Sequence, residues 1–169
     1  MNSEKTGAPA HAGPAPVSGP LKFRLRMASD PRLLAVVRRT VSEFAAVSGF
    51  EDDQCRVIAI AVDEALCNVI RHAYRNRYDQ EIELCCQAHS DCIEFTVIDR
   101  GEPADLSRVC ARPLDDVSLG GRGTHLIRQI MDEACYERVA EGNRLRLKKY
   151  LHGAGREVRS PLKDVKGTT

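Results

Sequence analysis

The sequence predicts an α+β fold, a two-layer sandwich with three main helices on one face of a mixed, largely antiparallel sheet of about five strands. Three observations point there. About five short segments alternate apolar and polar residues, the period of a strand with one face in a core. Three longer segments repeat apolar residues at helical spacing. The two kinds follow one another as strand, two helices, two strands, an irregular connector, helix and two strands.

Residues 1–20 are rich in Ala, Pro, Gly and Ser and hold almost no large apolar residue. They cannot bury enough surface to offset their ordering entropy, so a disordered tail is expected. Leu21, Phe23, Leu25 and Met27 then alternate with Lys22, Arg24 and Arg26 as a half-buried strand. Ser29-Asp30-Pro31 is a helix start, a capping side chain followed by proline at the first helical position. Leu33, Leu34, Val37, Val41 and Phe44 carry that helix towards Gly49, a natural terminator. Glu51, Asp52 and Asp53 place negative charge at the start of a second helix, where the macrodipole favours it; this helix is expected to run to about Tyr74.

A polar turn over 75–79 leads to two strands, the first carrying Ile82, Leu84 and Cys86, the second Ile93, Phe95 and Val97. The parity of the second strand puts Asp99 on the core-facing side, where an unpaired charge is costly. Residues 102–119 show no sustained period; a connector of that length is usually a lid, a binding loop or disordered. Gly120-Gly121-Arg122-Gly123 then opens a third helix through Leu126, Ile127, Ile130 and Met131. A hairpin about Glu141-Gly142 closes the domain, with Leu145, Leu147 and Leu151 on one face and Arg144, Arg146 and Lys148 on the other. Residues 152–169 form a polar, basic tail. One domain over residues 21–151 is expected, with no internal repeat.

Composition narrows the function. The hydrophobic share is 43% and the net charge +1, ordinary for a soluble globular chain and no footprint for nucleic acid or a membrane surface. No apolar run approaches the ~20 residues of a spanning helix, and no signal peptide is visible. Seven cysteines lie scattered without C-x-x-C spacing, against a zinc site or a disulfide framework. Reduced thiols in a cytoplasm are the simplest reading. Cys67 is read as helix packing. A nucleic-acid surface built on Arg144, Arg146, Lys148 and Arg156 is disfavoured, since scattered charges usually form a solvated face.

Three signals carry chemistry. In residues 62–74, VDEALCNVIRHAY, Glu64, Asn68 and His72 stand four apart, and each such step turns a helix only ~40°. They form a polar line beside the apolar line of Ile58, Val62, Leu66 and Val69. Carboxylate and amide oxygens are hard ligands for Mg²⁺, and a carboxylate can take a proton from an attacking hydroxyl. The plainer reading is a solvated helix face. Asp99-x-Gly101 alone reads as a turn, and a glycine run alone as a loop. Together the three describe a site between helices and sheet. An acid accepts from an exocyclic amine, a glycine turn at a helix start holds phosphates, and an acid–amide pair holds Mg²⁺. The combination reads as ATP, and no G-x-x-x-x-G-K-[ST] is present.

DEALCNVIRHAY, DRGEP, GGRGTHLIRQIMDE and the closing GNRLRLKKYL resemble the helix, adenine and phosphate boxes and the last strand of one ATPase superfamily. It is that of gyrase, heat-shock chaperone, sensor histidine kinase and mismatch-repair proteins, the Bergerat fold. Within it the chain resembles the anti-sigma-factor serine/threonine kinases, over residues 21–151. The resemblance implies Glu64 as general base and Asn68 as Mg²⁺ and phosphate ligand. It implies Asp99 and Gly101 as the adenine pocket, with Gly121, Gly123 and Thr124 at the phosphates. Arg122 departs from the family, which commonly has an apolar residue there; it adds a phosphate contact or projects into the connector. His72 matches a common family position and is read as structural. ATP and Mg²⁺ are the implied cofactors; a sigma factor and a small antagonist protein are the implied partners. Relatives are often homodimers. Without an upstream helical hairpin the chain does not resemble a sensor histidine kinase. The alternative is a nucleotide-dependent binding module without kinase activity.

Overall fold

The computed structural model describes residues 21–103, 122–140 and 142–151. The expected tails and most of the connector, together with Gly120, Gly121 and Cys110, lie outside them. The first strand, β1, spans Lys22–Ala28. A 3₁₀ turn at Pro31–Leu33 leads into α1, Leu34–Val47. The Asp30 carboxylate caps that turn by accepting from the Arg32 N–H at 2.9 Å, with proline directly after it as the sequence predicted. Helix α2 covers Asp52–Asn68, and the Glu51 N–H at its start donates to Gln54 Oε1 at 3.4 Å. Strands β2, Glu81–Ala88, and β3, Cys92–Asp99, follow. Helix α3 is Arg122–Ile130, and β4, Glu133–Val139, and β5, Gly142–Tyr150, complete the described chain.

The five strands form one sheet in the order β1-β2-β3-β5-β4, antiparallel at every pairing. The two-layer α+β architecture is as expected, and none of its strand pairs is parallel. Along β3 the alternation holds to the last residue: Ile93, Phe95, Val97 and Asp99 are all buried. Against them pack the apolar faces of the helices, with Val41 and Phe44 from α1 and Ile58, Val62 and Leu66 from α2. Phe44 meets Phe23 of β1 and Phe95 of β3 edge-to-face, with centroids 5.2 and 6.1 Å away. Each such pair adds about 0.5–1.5 kcal/mol beyond the area it buries. Ile127 and Met131 bury α3 against α2.

One element differs from expectation. The second helix is α-helical only to Asn68; Val69–Ala73 is a single π-helical turn, in which the Tyr74 N–H reaches back five residues to the Val69 carbonyl at 2.9 Å. A π turn advances less per residue than an α turn, so the predicted polar line ends at Asn68. Glu64 and Asn68 remain half-buried, whereas His72 is exposed. The wider turn also leaves the Ala73 carbonyl for another partner, the Glu102 N–H at 3.0 Å.

Candidate functional site

Asp99 lies on the last position of β3, opposite Ile82 of β2 and Asn143 of β5. It is 5% exposed, one of three buried polar side chains among the described residues with Ser29 and Asn143. Its Oδ1 accepts from the Gly101 N–H and from Asn143 Nδ2, both at 2.8 Å. No described residue donates to Oδ2. Burial pushes the Asp99 carboxyl above its ordinary value, while Asn143, Gly101 and nearby Arg138 pull the other way. Among the described residues the acid therefore has two donors on one oxygen and none on the other.

Two glycines shape this corner. A Cβ on Gly101 would sit 2.5 Å from the Ala73 carbonyl oxygen, so the close approach this glycine permits is that of the π turn. A Cβ on Gly142 would fall 2.1 Å from the Asp99 carbonyl oxygen, and its φ of +138° is one that side chains rarely adopt. Tyr74 ties the same corner together. Its hydroxyl donates to the Glu81 carbonyl at 2.6 Å and accepts from the Arg100 N–H at 2.9 Å. The helix box and the adenine box thus meet where Ala73 touches Gly101 and Glu102.

On α2, neighbouring acids have different fates. Asp63 turns towards α1 and pairs with Arg38 at 3.0 Å. Glu64, one position and ~100° further round, forms no hydrogen bond or ion pair with a described residue. Asn68 follows one turn later, half-buried, and its side-chain amide likewise has no described partner. Burial pushes the Cys67 thiol between them up, and the Asp63 and Glu64 charges add to that, which fits helix packing and not a nucleophile.

Arg122, Gly123 and Thr124 begin α3, a helix start as expected, and Gly121 lies outside the described residues. The structure thus joins the Asp99–Gly101 corner to the π turn that follows α2 and packs α3 on α2. Asn143 was not singled out from sequence. It reads as an ordinary hairpin residue, and only its register opposite Asp99 reveals it. The signal available was its parity with Leu145 and Leu147, which made it an amide on an otherwise apolar face.

Comparison with known proteins agrees with this fold. A model of the histidine kinase-like ATPase domain matches residues 27–149. The chain is 27% identical over 139 residues to serine-protein kinase RsbW of Bacillus subtilis, which covers 78% of this chain and 86% of that one. It is 30% identical over 119 residues to serine-protein kinase RsbW of Oceanobacillus iheyensis, covering 66% of this chain and 75% of the relative. Among solved structures it is similar to the RsbU and RsbW domains of a Mycobacterium tuberculosis protein. That likeness has a TM-score of 0.55 at 18% identity and spans 76% of this chain but 32% of the longer one, and it shows the fold. The chain belongs to the histidine kinase-like ATPase family, in the company of the RsbW serine-protein kinases.

Proposed function

We propose that the protein is an ATP-dependent serine/threonine kinase that phosphorylates a small antagonist protein and also sequesters a sigma factor. The observation that carries the kinase reading is Glu64, a half-buried carboxylate with no partner among the described residues, one turn before Asn68, while its neighbour Asp63 is held by Arg38. Bound Mg²⁺-ATP supplies the phosphoryl group and the charge neutralisation for its transfer. Glu64 accepts the proton of the attacking hydroxyl. Asn68 holds the cation through its side-chain oxygen. Among the described residues no three His, Cys, Asp or Glu side chains cluster as a metal cage. Mg²⁺ is usually held chiefly by phosphate and water with one or two protein ligands.

Asp99 accepts from the adenine amino group through Oδ2, while the Gly101 N–H holds its other oxygen. Gly121, Arg122, Gly123 and Thr124 receive the phosphates at the start of α3, where helix N–H groups lack intrahelical partners. The protein partners rest on the likeness of the helix, adenine and phosphate boxes to the anti-sigma-factor kinases. Glu64→Gln tests the chemistry. With labelled ATP and an antagonist that binds, phosphoserine formation should fall by about 10²- to 10⁴-fold while ATP and partner affinity stay unchanged. Undiminished transfer by that variant would remove Glu64 from the reaction. A parent protein that binds both ATP and antagonist yet forms no phosphoserine would be a binding module.

A further inference from the structure

Asn143 is 1% exposed, the most enclosed amide among the described residues. Its Nδ2 faces three acceptors, Asp99 Oδ1 at 2.8 Å, the Gly101 carbonyl at 3.1 Å and the Glu102 carbonyl at 3.3 Å. Its Oδ1 faces a donor, Arg138 Nη1 at 3.5 Å. That surrounding fixes the orientation of the amide, because the reverse would set an oxygen against a carboxylate and two carbonyls. The side chain is therefore a bracket. It spans from the acid to both carbonyls of the turn that follows it, and Arg138 holds it from behind.

We propose that Asn143 is a positioning residue for nucleotide recognition, holding the Asp99 carboxylate in one rotamer so that Oδ2 stays free for the ligand. The inference rests on the reading of Asp99 as the adenine acceptor. A carboxylate oxygen has two lone-pair sites, and on Oδ1 the Gly101 N–H and the Asn143 amide occupy both. Asn143 thereby leaves Oδ2 as the acceptor, at a fixed distance from the Gly101–Glu102 turn. Without the amide, Asp99 keeps only the Gly101 N–H, and its side chain can rotate away from the ligand.

The test is calorimetric titration of Mg²⁺-ATP into four full-length proteins: the parent, Asn143→Leu, Asp99→Asn, and the variant carrying both. Asn143→Leu keeps the branched shape and the number of side-chain heavy atoms and removes the donor. It should weaken ATP binding tenfold or more in the parent background and less than threefold in the Asp99→Asn background, because the amide acts through the carboxylate. Equal losses in both backgrounds indicate a merely structural role and overturn the proposal, as does an unchanged affinity in the parent background. If Asp99→Asn itself binds ATP as tightly as the parent, the adenine reading fails and the inference with it. Should Asn143→Leu not fold, Asn143→Ser, which leaves room for water in place of the amide, enters the same four-way comparison with the same criteria.

Discussion

The two faces of the sheet each hold one nearly covered carboxylate, and the surroundings treat them in opposite ways. Glu83 of β2, on the solvent face, has Arg26 Nε at 2.8 Å and Arg24 Nε at 3.2 Å. Burial pushes its carboxyl up, but hydrogen bonds from Cys85 and Arg26 and the charges of Arg24 and Arg26 outweigh that and hold it below its ordinary value. Asp99, on the helix face, has amide donors and one more distant cation, and there burial prevails. The solvent face continues in the same manner, with Arg144 beside Glu137 and Lys148 between Glu94 and Glu133. A face that pairs its charges with mobile cations is built for solvation. A face that seats one acid among fixed dipoles, with no described donor on its second oxygen, suits the neutral hydrogen-bond donor proposed for it.

The contrast can be broken most severely at Gly142. Gly142→Ala forces a Cβ against the Asp99 backbone at an unfavourable φ. A loss of ~3 kcal/mol or more, or failure to fold, is expected in denaturant titration, because strain of about 1–3 kcal/mol adds to the clash. Normal stability would mean that β5 can shift away from Asp99 at little cost.

Asp99→Asn sharpens the contrast instead. The amide keeps an oxygen for Gly101 and Asn143 but turns a donor towards the adenine amine. ATP affinity should fall by roughly thirty- to a hundredfold, ~2–3 kcal/mol, and GTP should bind the parent poorly and lose less. Stability should move the other way. An acid whose pKa is raised on folding binds more protons folded than unfolded between its two pKa values, so stability falls as pH rises through that window. Removing the charge should therefore stabilise the ligand-free protein at neutral pH, and the advantage should fade as pH is lowered towards 3.8. Loss of stability together with unchanged ATP affinity would return Asp99 to an ordinary turn residue.

The mildest change is Glu83→Gln. With its pKa lowered on folding, Glu83 contributes stability above its unfolded value of 4.5, lost as pH falls through the folded one. Its arginines are mostly exposed and screened, so the variant should cost under about 1 kcal/mol at neutral pH and less in high salt. A larger, salt-independent loss would show the solvent face to be as specifically built as the other.

Much of this was legible from local pattern. Strand parity carried Asp99 onto the helix face, and the apolar period of Ile58, Val62 and Leu66 fixed which side of α2 is buried. Asp30 and Pro31 announced the first helical turn. Two features were not legible because neither is local. The π turn at Val69–Ala73 depends on a carbonyl finding Glu102 across the corner, which no helical period encodes. Asn143 matters through a residue 44 positions earlier, and its register appears only when β5 is laid against β3.

The place of β5 in the sheet has a consequence for synthesis. It is the last of the described strands along the chain, yet it lies between β3 and β4. A chain emerging from the N-terminus can pair β1, β2 and β3 while β3 still has an open edge and Asp99 lacks its amide. Ordering β3–β5 contacts requires closure over some forty residues, a slow step by contact order. On the proposed reading of Asp99 as the adenine acceptor, nucleotide capture is thus deferred until β5 has paired with β3.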